Sequence, residues 1–318
     1  MKRLGRRPAL LLLAAGALTA SAEPIRESRT HPMLVIAHRG ASGYAPEHTF
    51  AAWDRALELG ADYLEQDLQM SRDGALVVMH DETLDRTARR DGRPCTGRVI
   101  DHTLAELRAC EVGSWFNDSR PSQARSEYAG EPIPTLAEVL ARYRERAAFY
   151  IETKQPEAAP GMEEALLALL AEHDLREPAA REWRVLIQSF SVASLRKVHA
   201  LDPALPLIQL VERGTAARAL EAELDRIAEY AVGIGPQFGD VDDALVAAAH
   251  ARCLVVHPYT VNESADLARM QAAGVDGMFT DYSDRLLALR PAAEPRGPGA
   301  AAAAARRHAR CKADREWR

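Results

Sequence analysis

The chain has 318 residues, 47% hydrophobic and 27% charged, a globular composition that excludes disordered, collagen-like and disulfide-scaffold classes. Forty Lys and Arg stand against 46 Asp and Glu, for a formal charge of −6, so the basic excess of a nucleic-acid-binding protein is missing and nucleic acid is not an expected partner. The charge is unevenly placed: residues 1–22 hold four basic and no acidic residues, residues 291–318 hold seven basic and three acidic, and residues 23–290 therefore carry −14.

In chain order, residues 1–22 begin with a basic stretch, continue through an apolar run from Ala9 to Leu18, and end in Ala20-Ser21-Ala22, the three regions of a secretory signal peptide. The run is short for a membrane span, and no Cys at the cleavage point offers a lipid anchor. The expectation is an exported protein, periplasmic or secreted, with no stable membrane anchor; Arg6-Arg7 leaves the twin-arginine route open beside the general one. Short apolar runs then alternate with helical patterns. Strands are expected at 33–38, 62–68, 75–80, 148–153, 184–189, 206–211, 231–235, 253–258 and 275–280, and helices at 49–59, 135–146, 161–173, 191–200, 215–230, 240–252, 262–273 and 283–289.

Only Gln69 to Gly74 separates the second and third runs, too few residues for a parallel crossover, so these two runs form an antiparallel hairpin. Eight strands remain for a parallel α/β fold. The expected architecture of residues 23–290 is a TIM (β/α)8 barrel with that hairpin after strand 2 and a small insertion at the mouth, about 87–132, with a helix near 103–110. An open doubly wound sheet is the runner-up, but no glycine-rich phosphate loop follows any strand. The tail 291–318 is of low complexity, shows no apolar face, and is expected to be disordered. The four cysteines, Cys95, Cys110, Cys253 and Cys311, lack metal-type spacing. Cys95 and Cys110 could pair in an oxidising compartment; free thiols fit equally.

Barrel enzymes carry their chemistry at the C-terminal ends of the strands. Here those ends bear His38-Arg39-Gly40, Glu65-Gln66-Asp67, His80-Asp81, Glu152-Thr153-Lys154 and Gln188-Ser189-Phe190. A single histidine at a strand end is more often structural than catalytic, and Glu65 and Asp67 alone could line a solvated rim. Two like charges on the inward face of one strand are costly without a cation, however. Glu152 adds a third carboxylate, and three oxygen donors suit a hard divalent cation, Ca2+ or Mg2+, over zinc. Arg39 and Lys154 beside it describe a phosphate site. His38 and His80 supply general acid and base. No Ser or Cys nucleophile stands beside a base, so the chemistry indicated is metal-assisted phosphoester hydrolysis.

In this order, and with Pro46-Glu47-His48-Thr49, Leu64-Glu65-Gln66-Asp67, Gly233-Ile234-Gly235-Pro236, His257-Pro258-Tyr259-Thr260 and Phe279-Thr280-Asp281, the chain resembles the glycerophosphodiester phosphodiesterases from about residue 33 to 288, and among them the periplasmic, calcium-using branch. The resemblance implies hydrolysis of small-molecule glycerophosphodiesters to sn-glycerol 3-phosphate and an alcohol. Glu65, Asp67 and Glu152 would hold the metal, and His38 and His80 would act as base and acid. Arg39 and Lys154 would bind the phosphate, with Phe190 and Tyr259 as a wall beside the glycerol carbons; Glu47 would orient Arg39 or support its turn. Two other readings use the same barrel: a phospholipase D-like or lysophospholipase activity, which the absence of an amphipathic membrane helix disfavours, and a noncatalytic phosphodiester-binding protein.

Overall fold

The computed structural model describes residues 33–215 and 217–316, so the signal expected at 1–22 lies outside them. Its elements are β1 (Leu34–Ala37), α1 (Phe50–Leu59), β2 (Tyr63–Met70), β3 (Leu76–Val78), β4 (Arg89–Arg90), β5 (Arg93–Pro94), α2 (Leu104–Leu107), α3 (Ser114–Ser119), α4 (Leu136–Tyr143), β6 (Ala148–Thr153), α5 (Met162–Glu172), α6 (Arg176–Glu182), β7 (Val185–Ser189), α7 (Val192–Leu201), β8 (Leu207–Leu210), α8 (Ala217–Ile227), β9 (Gly233–Gly235), α9 (Asp243–His250), β10 (Val255–Val256), α10 (Ser264–Ala273), β11 (Gly277–Thr280), α11 (Ser283–Leu287) and α12 (Pro298–Glu316). Local signals set several boundaries. Thr49 caps α1 by accepting from Ala52 N at 3.2 Å, and Gly60 ends that helix with φ 87. Thr135 and Glu138 form a reciprocal capping box on α4.

Eight strands run parallel in the order β10-β9-β8-β7-β6-β2-β1-β11. Backbone bonds from Asp276 N to Val256 O and from Phe279 N to Pro258 O, both 3.0 Å, join the two ends of the sheet and bring the barrel close to closure. The expected hairpin is present: β3 folds back antiparallel on β2 with Leu68 opposite Val78. Strand alternation sorts the core into two shells. Val35, Ala37, Leu64, Phe149 and Ile187 face the helices, whereas Leu34, Ile36, Tyr63, Tyr150, Leu186, Ile208 and Phe279 fill the barrel. Counting on by two from Tyr63 and Tyr150 leads to Glu65, Asp67 and Glu152, so the carboxylates cap the same inward column that is apolar lower down.

The insertion is held by the Cys95–Cys110 disulfide and by a small apolar cluster including Val77, Leu84, Val99, Leu107 and Val112. The helix expected at 103–110 is the shorter α2, and α3 and the β4–β5 ribbon are additions to that expectation. Phe116 and Tyr128 pack against Ala45 and Ala52, and Arg120 Nη1 donates to Ser42 O and Gly43 O at 3.2 and 3.1 Å. The insertion thus braces the loop between β1 and α1.

The tail departs from expectation. Instead of being disordered, residues 298–316 form α12, which lies against the strand starts: Ala300, Ala301, Ala304 and Ala305 are buried with Leu34, Ala148, Trp183 and Val255. Arg307 pairs with buried Asp276, and Cys311 is joined to Cys253 by a second disulfide. Alanine favours helix intrinsically, and this narrow stripe of methyl groups becomes an apolar face only against the floor of the barrel. The segment entering α12 is tied down by Asp62, which accepts from Gly297 N at 2.7 Å and pairs with buried Arg290. Helix α6, also unexpected, packs beside α12. No helix among the described residues is long and apolar enough to cross a membrane.

Candidate active site

The turn after β1 begins the site. Arg39 and Gly40 both have positive φ, 57 and 84, and a Cβ on Gly40 would lie 2.8 Å from Ala52 C and Cβ, so glycine is required for the turn to fold back on α1. This conformation sends Arg39 N to Glu65 Oε2 at 2.6 Å and places the guanidinium between Glu47 Oε1 at 3.0 Å and Asp67 Oδ2 at 3.5 Å. Of the two roles considered for Glu47, orienting Arg39 is therefore the one its contacts describe.

His38, Arg39, Glu65, Asp67, His80, Glu152, Lys154, Phe190 and Tyr259, every site residue named from the sequence, line one cavity of about 160 Å³ at the C-terminal ends of the strands. Lys154 Nζ lies 3.0 Å from Glu152 Oε1 and 3.9 Å from Asp67 Oδ1. His38 Nδ1 is 2.7 Å from Asp281 Oδ1, and His80 Nδ1 is 2.6 Å from Asp81 Oδ1, which leaves Nε2 of each ring for chemistry. Phe190 and Tyr259 meet edge to face with centroids 5.9 Å apart, and Tyr259 OH donates to Val211 O at 2.7 Å, fixing its ring in the wall.

The three carboxylates are buried together, and their charges are unequally compensated. Burial raises the Asp67 pKa, but Lys154, His48 and Arg39 outweigh it and hold this group well below the usual carboxylate range. Glu65 is pushed well above that range by burial and then by the charge of Asp67, and Glu152 is raised by the same two causes. Two cations, Arg39 and Lys154, stand against the three carboxylates, and Arg39 is shared with Glu47. Gln188 Oε1 is a further buried oxygen on this cavity without a hydrogen-bond partner among the described residues. An all-oxygen donor set short of positive charge fits a divalent cation held by Glu65, Asp67 and Glu152.

Sequence reading gave no role to His48. Its Nε2 is 2.8 Å from Asp67 Oδ2, and it is His48, not Glu152, that forms with Glu65 and Asp67 the grouping whose ligand atoms all lie within 4.8 Å of one another among the described residues. Also without an assigned role were Asp281, Asp81 and Asn262, whose Nδ2 donates to Asp281 Oδ2 at 2.7 Å. Asp281 and Asp81 stood inside motifs quoted from the sequence, and a histidine at a strand end asks for such an acceptor. Asn262 carried no signal.

Fold and site together define a barrel enzyme whose mouth holds a cavity lined by carboxylates, histidines and two cations. Residues 38–285 match the glycerophosphoryl diester phosphodiesterase family. The chain is 44% identical over 288 residues to the glycerophosphodiester phosphodiesterase of Bacillus subtilis (strain 168), covering 89% of this chain and 97% of the relative. It is 37% identical to the enzyme of the same name from Caldanaerobacter subterraneus subsp. tengcongensis, covering 80% and 97%. Among solved structures, an Oleispira antarctica phosphodiesterase in complex with the product sn-glycerol-3-phosphate superposes with a TM-score of 0.69 at 27% identity, covering 81% of this chain and 96% of the other. A glycerophosphodiester phosphodiesterase from Agrobacterium tumefaciens gives 0.64 at 27% identity, covering 80% and 99%. The chain belongs to the glycerophosphoryl diester phosphodiesterase family and is an enzyme of that class, a phosphoric diester hydrolase.

Proposed function

We propose that this enzyme hydrolyses glycerophosphodiesters to sn-glycerol 3-phosphate and an alcohol in a divalent-metal-dependent reaction that uses His38 and His80 as its proton-transfer groups. The observation that carries this reading is the convergence of three buried carboxylates, two oriented histidines and two cations on one cavity. A divalent ion, Ca2+ by the resemblance to the calcium-using branch and Mg2+ as the alternative, would be held by Glu65, Asp67 and Glu152 and would supply Lewis acidity toward phosphate and hydroxyl oxygens.

Arg39 and Lys154 bind the phosphate and balance the charge that grows on its oxygens. His38, held through Nδ1 by Asp281, takes the proton of the glycerol 2-hydroxyl as that oxygen bonds to phosphorus. The bond from phosphorus to the alcohol oxygen breaks, and His80 gives its proton to the departing alcohol. The product of this first step is a five-membered cyclic phosphate. His80 then takes a proton from water as the water oxygen bonds to phosphorus, and His38 returns its proton to the glycerol oxygen as the ring opens. Phe190 and Tyr259 flank the glycerol carbons and keep bulk water from the reacting face.

Export to an oxidising compartment belongs to the same reading. The N-terminal pattern supports it, and so does the pairing of Cys95 with Cys110 and of Cys253 with Cys311.

Phosphorus NMR of glycerophosphocholine turnover, with the enzyme chelated and then resupplied with Ca2+, tests the proposal. Glycerol 3-phosphate is expected, with a transient cyclic phosphate, no turnover after chelation, and recovery on adding Ca2+. Full activity after exhaustive chelation would overturn the metal assignment. Release of phosphocholine, or turnover of lysophosphatidylcholine alone, would overturn the substrate assignment.

A further inference from the structure

Arg86 lies at the edge of the insertion and is not among the residues lining the cavity, yet it touches the partners of two residues that do. Its Nε and Nη2 donate to Asp81 Oδ2 and Oδ1 at 2.6 and 3.1 Å. Its Nη1 and Nη2 donate to Glu47 Oε2 and Oε1 at 2.8 and 2.7 Å. The shared oxygens matter most. Asp81 Oδ1 is the atom bonded to His80 Nδ1, and Glu47 Oε1 is the atom that receives Arg39 Nη1. An unbroken chain therefore runs from His80 through Asp81, the single nitrogen Nη2 of Arg86 and Glu47 to Arg39, and both its ends face the cavity.

An exposed ion pair ordinarily contributes little, and the Arg86 side chain is 42% accessible. Three features set this one apart. Both its carboxylate partners are engaged bidentately. Glu47 is only 12% accessible, and burial, which raises its pKa, is outweighed by the Arg86 hydrogen bonds and the charges of Arg39 and Arg86, which hold it down to about 2. The ring of Trp115, from α3 in the insertion, lies 5.7 Å from the guanidinium carbon and restricts its movement.

We propose that Arg86 is a positioning residue, the planar clamp that fixes His80 and Arg39 relative to each other, with the insertion serving through Trp115 to hold the clamp. This rests on the two-histidine reading above. Lysine does not substitute, because a single ammonium cannot present the coplanar donors that two carboxylates engage at once. Asp81 and Glu47 without Arg86 are two anions beside each other with one partner each, free to swing His80 and Arg39 apart by a fraction of an ångström or more.

The test compares wild type, Arg86→Ala and Arg86→Lys in Ca2+ with glycerophosphocholine, at constant ionic strength, with and without methylguanidinium or methylammonium, and with thermal unfolding of each variant. Misplacement on the order of 1 Å costs on the order of 100-fold in rate, so kcat/KM of R86A is expected to fall roughly 10- to 100-fold. Methylguanidinium, entering the accessible gap, restores several-fold of that loss, methylammonium does not, and R86K lies between. Two results would overturn the proposal: R86A within twofold of wild type, or a loss that methylammonium repairs as well as methylguanidinium does. If R86A fails to fold, R86K is judged by the same twofold limit. Failure of the activity reading looks different, since wild type itself would then release no glycerol 3-phosphate.

Discussion

Replacing both Cys253 and Cys311 by alanine removes the link that fastens the C-terminal helix to the barrel. The disulfide spans a sequence separation of 58 residues, and chain-entropy reasoning assigns a loop of that size about 4 kcal/mol at 25 °C. For a domain of this length, each kcal/mol corresponds to about 2 °C in Tm, so C253A/C311A should melt roughly 8 °C below wild type. The helix should nonetheless stay docked at 25 °C. Its alanine stripe, the Arg307–Asp276 pair and the tether of Gly297 N to Asp62 are all untouched. Because the helix covers the strand starts while the cavity opens at the strand ends, kcat and KM at 25 °C should remain within twofold of wild type. Calorimetric or fluorescence melting at fixed Ca2+, followed by turnover assays, gives both numbers. An unchanged Tm would show that the cross-link stabilises nothing, and a large loss of activity at 25 °C would refute the separation between the stabilising floor and the reacting mouth.

Asp281→Asn keeps the shape of the acceptor beside His38 but favours the wrong ring tautomer; by analogy with an aspartate behind a catalytic histidine, kcat should fall roughly 100- to 10,000-fold, and steady-state kinetics would detect it. Gly40→Ala combines φ 84 with a contact at 2.8 Å to the Ala52 backbone, so a loss of about 1–3 kcal/mol in urea unfolding is expected, together with weaker phosphate binding through displaced Arg39. Buried His257 is pushed down to about 4 by burial, against the raising effect of Asp276. The unfolded chain binds that proton near pH 6.5, so stability should fall by at most about 3 kcal/mol as pH drops from 6.5 to 4. His257→Gln should flatten the urea midpoint across that window, and an equally steep decline in the variant would remove His257 as its cause.

Much of the barrel could be read from the chain because its signals are local. Each strand is a short apolar run bounded by turn residues, and the five residues between Met70 and Leu76 leave no room for a crossover, whatever the rest of the protein does. The same holds for the carboxylates: a spacing of two puts Glu65 and Asp67 on one face of β2, and the end of the neighbouring strand brings Glu152 opposite Asp67. The family motifs added order to these positions without requiring any contact to be known.

What could not be read locally depends on partners distant in the chain. His38 finds Asp281 across 243 residues, Arg290 finds Asp62 across 228, and Arg86 reaches Glu47 across 39. No periodicity encodes such pairs, because only closure of the barrel makes them neighbours. The tail shows the same limit most plainly: its alanines read as low complexity and its basic residues as charge alone, until the barrel floor supplied an apolar surface, Asp276 a counter-charge, and Cys253 a partner for Cys311. Sequence by itself determined the strands, the hairpin and the residues at the strand ends; tertiary structure decided which charged groups hold them in place and how the chain closes beneath them, since both depend on surfaces that exist only once the barrel has formed.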